Sequence, residues 1–189
     1  MQNELAAVNS LLVAIGESPQ NTLDEDNVDI TIAREIINTA SMNFQSEGWW
    51  FNTEIWEMNL TTENKQPLPI NALYVNTYNP YWIKRGNYLY DSENHTYEFN
   101  PEDTSEKSMI IVTLLPLEEL PGIVYNYVVN LGKIQILNEL EAEFNKIQVV
   151  NSVLSYQRIS IQKMQLRFTS PSALNSPMAT KLFQNIRLP

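Results

Sequence analysis

The chain begins with two stretches in which apolar residues recur three and four positions apart, which is the spacing of one helix face. The first stretch ends at Gly16, and Pro19 follows it. The second begins among acidic residues, which favour a helix N-terminus, and ends at Gly48. We therefore expect two amphipathic helices, each closed by a left-handed glycine. Their apolar positions are Leu5, Val8, Leu12 and Ile15, then Ile30, Ala33, Ile37, Ala40 and Phe44.

Residues 49–115 change to the two-residue alternation of β-strands, with turn-forming residues between the extended segments. Trp50, Trp56 and Leu60 fall on one side of the first segment. Gly86 and Asn87 predict the turn of a hairpin. We interpret this stretch as a small antiparallel β module of about five strands inserted between helices. The predicted extended segments are residues 50–60, 73–77, the hairpin 82–90, 97–99 and 109–115.

Helical spacing returns after Pro116 and continues to Phe168, with Gln157 as the polar position of the second stripe. One continuous helix would be about 70 Å long, so we expect a break within residues 138–145. Prolines then interrupt residues 170–189, which favours an extended arm that becomes ordered on a partner, although a frayed terminus fits as well. The stripe residues are Val124, Val128, Leu131, Ile134, Leu137 and Leu140, then Ile147, Val150, Leu154, Gln157, Ile161, Met164 and Phe168.

Together these patterns predict an α+β protein that is mainly α. Residues 1–48 and 116–169 would form an up-and-down bundle of about four helices. Residues 49–115 would form the β module between the second and third helices, and residues 170–189 the C-terminal arm.

Charge is distributed unevenly along the 189 residues, which carry a net charge of −10 and no cysteine. Residues 1–106 carry −13, residues 107–143 carry −3, and residues 144–189 carry +6 with no acidic residue. The acidic balance argues against a protein that grips nucleic acid with its whole surface. The basic end predicts either a docking face or a helix face that balances acidic neighbours. The lack of cysteine excludes disulfides and thiolate zinc sites.

Residues with catalytic potential form no specific motif. His95 is the only histidine, which argues for a structural or surface role and against a metal centre or a catalytic triad. The five glycines form no phosphate-binding loop, so we expect no cofactor. Acidic pairs leave open a glycoside hydrolase with aromatic sugar-stacking residues. The candidate pairs are Glu54 with Glu57 and Asp91 with Glu98, and the aromatic candidates are Trp49, Trp50, Trp56 and Trp82.

Four short sequence strings follow one another within the first 121 residues. They are NSLLVAIGESP (9–19) with NTL (21–23), QSEGWWFNTE (45–54), GNYLYDSENHTYEF (86–99) and LLPLEELP (114–121). With these strings the sequence resembles the tail tubular protein A family, the head–tail adaptors of short-tailed bacteriophages. The resemblance implies a structural virion protein without enzymatic activity. It would assemble in the host cytoplasm into a ring, in this family a dodecamer, in the phage tail.

The resemblance also implies partners. The ring would join the portal protein to the tail nozzle protein and let genome DNA pass without specific binding, with no membrane contact. Tail fibres are a further expected partner. In this family the C-terminal end faces the portal, so the portal-docking candidates are Lys163, Arg167, Lys181, Leu182, Phe183, Ile186 and Arg187. The candidates for contact with the nozzle or a neighbouring subunit are Tyr81, Trp82, Tyr88 and Tyr90, which are equally expected as the core of a small sheet. A virion-associated glycoside hydrolase remains the alternative function, and a DNA-binding module is disfavoured by the charge.

Overall fold

Four helices and five strands follow the predicted order in a computed structural model that describes residues 2–24, 26–101, 108–140 and 144–169. This architecture confirms the mainly-α α+β class. A short 3₁₀ turn, Leu117–Glu119, precedes the third helix. The helices are α1 (Glu4–Ile15), α2 (Val28–Gln45), α3 (Gly122–Glu139) and α4 (Phe144–Thr169), and the strands are β1 (Thr53–Glu57), β2 (Ala72–Asn76), β3 (Trp82–Arg85), β4 (Tyr88–Asp91) and β5 (Ser108–Thr113).

Side-chain caps and glycines define the ends of the first two helices. The Asn3 side chain accepts a hydrogen bond from the Ala6 backbone at 2.8 Å, and Gly16 closes α1 at φ 95° as predicted. The prediction that α2 extends to Gly48 is wrong, because α2 ends at Gln45. Gly48 has φ 75° but lies in the following turn, where a Cβ would come within 3.1 Å of Val112. Its conformation therefore serves the turn into the β module.

The strands form two separate sheets. β5 lies between β1 and β2 in an antiparallel three-stranded sheet, and β3 pairs with β4 in the predicted hairpin. The strand predicted at residues 97–99 is wrong, since this stretch forms only isolated bridges such as Lys65 with Glu98. The first strand is also shorter than predicted, because a turn occupies residues 50–52. Each sheet is thus too small to be stable without the layers that cover it.

Helix α3 is central to the helical part of the fold. It packs against α1, α2 and α4. A Cβ on Gly132 would lie 3.3 Å from Leu11 and 3.4 Å from both Ile36 and Ile37, so glycine permits the close approach of α3 to α1 and α2. The predicted break between α3 and α4 is confirmed, since α3 ends at Glu139 and α4 begins at Phe144. Within the described ranges, no helix is long and apolar enough to span a membrane.

Two apolar clusters form the interior. The larger one joins all four helices and includes Leu11, Ile37, Val128 and Ile161. The smaller one lies in the β module and is formed by Leu68, Ala72, Val75, Leu89, Phe99, Met109 and Ile111. The two clusters are separate, and the ends of the β module reach the larger one, where Trp49, Trp50, Phe51 and Leu115 pack.

A buried polar network connects the end of α2 to the end of β5. The Asn52 side chain donates to the carbonyl oxygens of Gln45 and Thr113, both at 2.9 Å, and accepts from the Trp49 backbone at 2.8 Å. The Gln45 side chain donates to the Leu115 carbonyl at 3.0 Å and accepts from the Leu115 backbone at 2.8 Å. Both side chains are fully buried. We call this network the junction; it fixes the β module on the helices.

Replacing Asn52 with alanine should lower the free energy of unfolding by about 3 kcal/mol, because three buried backbone groups lose their partner. Urea unfolding followed by tryptophan fluorescence measures the change. Asn43→Ala is the matched control: Asn43 is exposed on α2, and its substitution should change the free energy by less than about 0.5 kcal/mol. Equal effects of the two substitutions would contradict the role of the junction.

Candidate functional site

Helix α4 carries the basic end of the described chain and is held on α3 by the stripe that the sequence predicted. Leu154 and Ile161 are buried in the larger cluster. Gln157, the polar position of the stripe, accepts a hydrogen bond from the Asn130 side-chain amide of α3 at 3.0 Å. A partly buried hydrogen bond between two side chains fixes the register of the helices that carry them. The position of α4 is therefore well determined along α3.

Arg158 attaches α4 to the end of α2. Its guanidinium donates to both carboxylate oxygens of Glu47, at 3.0 Å and 2.5 Å. It also lies over the ring of Trp49 at 4.9 Å and the ring of Phe44 at 5.5 Å. The hydrogen bond to Glu47 raises the pKa of Arg158 above its ordinary value. This bidentate, ring-stacked geometry needs arginine and would be lost with lysine.

The C-terminal turns of α4 contact the turn that leads into the β module. The Gln165 side chain accepts from the Trp50 backbone at 2.8 Å, and the ring of Phe168 stacks on Trp50 with centroids 5.5 Å apart. Lys163 and Arg167 lie in the same turns of α4 and are exposed. The structure thus brings the two described portal-docking candidates together on one rigid helix.

The remaining portal-docking candidates lie outside the described residues. They are Lys181, Leu182, Phe183, Ile186 and Arg187, all within the C-terminal arm.

The four aromatic candidates of the hairpin divide into two pairs. Tyr81 and Tyr88 are exposed. Trp82 packs edge-on against Phe99 at 5.0 Å between centroids. Tyr90 is buried beneath Arg85, whose guanidinium carbon is 3.7 Å from the ring centroid. Trp82 and Tyr90 therefore support the hairpin from within, and Tyr81 and Tyr88 are the members available to a partner.

Three of the acidic residues considered for glycoside hydrolysis have a defined local arrangement. Glu54 and Glu57 point to opposite faces of β1, because they are three residues apart on a strand. The Asp91 carboxylate accepts from the backbones of Glu93 and Asn94, at 2.9 Å and 3.0 Å, and from the Asn94 side chain at 2.9 Å. His95 follows at φ 54°, so this carboxylate caps a tight turn.

Asp91 also has the wrong electrostatics for a general acid. Burial raises its pKa, but the hydrogen bonds from Asn94 and Glu93 outweigh burial and leave the pKa below its ordinary value. A glycosidase acid needs a raised pKa. Within the described ranges, no three metal-ligating side chains cluster.

Helix α4 has a second apolar stripe, which was not predicted from the sequence. Val149, Val153 and Tyr156 are spaced by four and three residues, as in the stripe that packs on α3, but they are exposed. Ile159 and Leu166 continue this side of the helix and are exposed too. The spacing was visible in the sequence, yet only the structure distinguishes the covered stripe from the open one. Such a face is typical of a helix that meets another protein.

The described residues thus form a four-helix arrangement with an inserted β module, and helix α4 exposes basic and apolar side chains. The sequence model of the family described as Tail tubular protein matches residues 5–169. Tail tubular protein A of Klebsiella phage KP34 is 30% identical over 175 aligned residues, which cover 85% of this chain and 91% of that relative. The chain belongs to the tail tubular protein family and is a structural component of a phage tail.

Replacing Asp91 with asparagine should destabilise the protein by about 1 kcal/mol at pH 7, because the charge is lost and a second amide donor would face Asn94. The folded-state pKa of Asp91 is lowered, so its contribution exists above the unfolded pKa of about 3.9 and disappears as pH falls through the folded value. Urea unfolding at pH 7 and pH 3 measures the difference, which should shrink at pH 3. Glu93→Gln, at an exposed neighbour, is the control. A deficit that does not change with pH would contradict this role.

Proposed function

We propose that this protein is a head–tail adaptor, assembled as a ring between the portal and the tail nozzle of the virion. The family match over residues 5–169 carries the proposal. Its fold supports it, because a rigid bundle with an exposed helix face suits a subunit that is completed by neighbours. As the resemblance implies, about twelve copies assemble in the host cytoplasm, and tail fibres are further possible partners.

The portal side of the ring is assigned to the end of α4 and the C-terminal arm. Residues 144–189 carry +6 and no acidic side chain. α4 is anchored by Arg158, Gln165 and Phe168, so Arg167 and the chain that follows start from a fixed position. A basic segment on a rigid base can recognise an acidic, partly apolar partner surface without a large ordering cost to its first residues.

The nozzle side is assigned to the hairpin of the β module. Tyr81 and Tyr88 are exposed on it, Trp82 packs against Phe99 of the smaller cluster, and Tyr90 packs against Tyr97. Exposed tyrosines on a supported hairpin offer large contact area at low entropy cost.

Genome DNA would pass through the ring without being held. Each copy carries −10, so about twelve copies would present roughly −120, which repels phosphate. This negative charge keeps the affinity of the ring for DNA low, so the DNA can move through the channel.

Particles produced without this protein should contain DNA-filled heads that are not joined to tails, and purified full-length protein should restore joining and infectivity. A chain that lacks residues 170–189 should fold normally, because α4 ends at Thr169, but should fail to restore joining. Circular dichroism confirms folding, and electron microscopy counts joined particles.

Tailed, infectious particles without the protein would contradict the adaptor function. Normal joining by the shortened chain would contradict only the assignment of the arm to the portal.

The full-length chain should not bind a short DNA duplex measurably in fluorescence anisotropy at about 0.1 M salt, since its net charge repels the backbone. Binding that weakens steeply with added salt, and that is lost with residues 170–189, would instead identify the arm as a DNA-binding segment.

A further inference from the structure

Two exposed helix faces of this subunit have complementary chemistry. On α2, Val28, Ile32 and Met42 are exposed and share one side of the helix with Glu35. On α4, the open apolar stripe shares its side with Lys163 and Arg167. The two faces belong to different surfaces of the subunit, because α3 packs between the two helices.

Charge distinguishes the two faces. Glu35 lies on the exposed face of α2, whereas Asp29 lies about 100° from Val28 around the helix, and neither is in an ion pair with another described residue. α4 carries no acidic residue, and Lys163 and Arg167 have no ion-pair partner in the part of the chain that the structure describes. The only basic residue of α2, Arg34, is already paired with Glu4 at 2.9 Å. Each face thus presents one sign of charge beside its apolar residues.

The distribution of these charges selects one orientation. Glu35 lies in the N-terminal half of α2, and the two basic residues lie in the C-terminal turns of α4. Antiparallel packing brings them together and also opposes the two helix dipoles favourably. Residues seven positions apart fall on the same face of a helix. When Glu35 lies opposite Lys163, Met42, seven residues later on α2, therefore lies opposite Tyr156, seven residues earlier on α4.

We propose that α4 of one copy docks antiparallel on α2 of the next copy, with Glu35 meeting Lys163 and Met42 meeting Tyr156. The proposal rests on the ring proposed above and names its subunit contact. Because different surfaces meet, the contact is head-to-tail, which propagates from copy to copy and closes a ring when the rotation permits. Lys163, expected from the sequence to meet the portal, then faces the neighbouring copy.

Chemical crosslinking tests this contact cleanly, since the natural chain has no cysteine. Met42→Cys and Tyr156→Cys combined in one chain, in purified virions and in concentrated purified protein, should give a ladder of multimers with a short bifunctional maleimide. Both positions are exposed, so the substitutions should not disturb folding. Each single variant should stay monomeric.

Three results would overturn the proposal. A double variant that gives no ladder in either sample excludes the contact. Dimers from Tyr156→Cys alone would show a symmetric pairing of two α4 helices. A ladder that appears only after residues 170–189 are removed would show that the arm of the same chain covers the face.

A charge exchange provides a second measurement. Glu35→Lys and Lys163→Glu should each reduce restoration of infectivity by roughly tenfold, and the two changes combined should recover it. Glu17→Lys, at an exposed site after α1, is the control and should have no effect. Full activity of both single variants, or no recovery in the double variant, would overturn the contact.

Different results would contradict the adaptor function and the contact between α2 and α4. Virions that contain many copies at the head–tail joint but give no ladder contradict only the contact between α2 and α4. Particles that join tails without the protein contradict the adaptor function, whatever the crosslinks show.

Discussion

Buried hydrogen bonds at the junction of Asn52 and Gln45 determine how the two parts of this protein are held. Neither sheet of the β module is large enough to be stable alone, and its apolar cluster is separate from that of the helices. The junction fixes the end of β5 beside the end of α2, and Trp49 and Trp50 enter the helical cluster from the same turn. The β module and the helices are therefore held in one fixed arrangement.

The turn that follows α2 also positions α4. Arg158, Gln165 and Phe168 all contact the segment that contains Glu47 and Trp50, so the helix is positioned by the same turn that positions the β module. One stripe of α4 is covered by α3, and the opposite stripe remains apolar, basic and exposed. The exposed stripe therefore lies on a helix with a fixed position, and such a surface loses less conformational entropy when it binds a partner.

Periodicity in the sequence was sufficient to predict the four helices, the hairpin and the break before α4, because each depends on local spacing and turn residues. The junction could not be predicted, since Asn52 is 61 positions from Thr113 and binds its backbone carbonyl, a group that every residue type carries. At the candidate site, the sequence could not predict which of Tyr88 and Tyr90 is exposed. Alternation places them on one face of the hairpin, but only the neighbouring Arg85 and Tyr97 decide that Tyr90 is covered.

An image reconstruction of the tail vertex at side-chain resolution tests the adaptor function most directly. The expected result is a ring of about twelve copies between portal and nozzle, with the C-terminal arms on the portal side and the acidic surface toward the DNA. The protein in another part of the virion, or in a single copy beside the channel, would contradict the adaptor function.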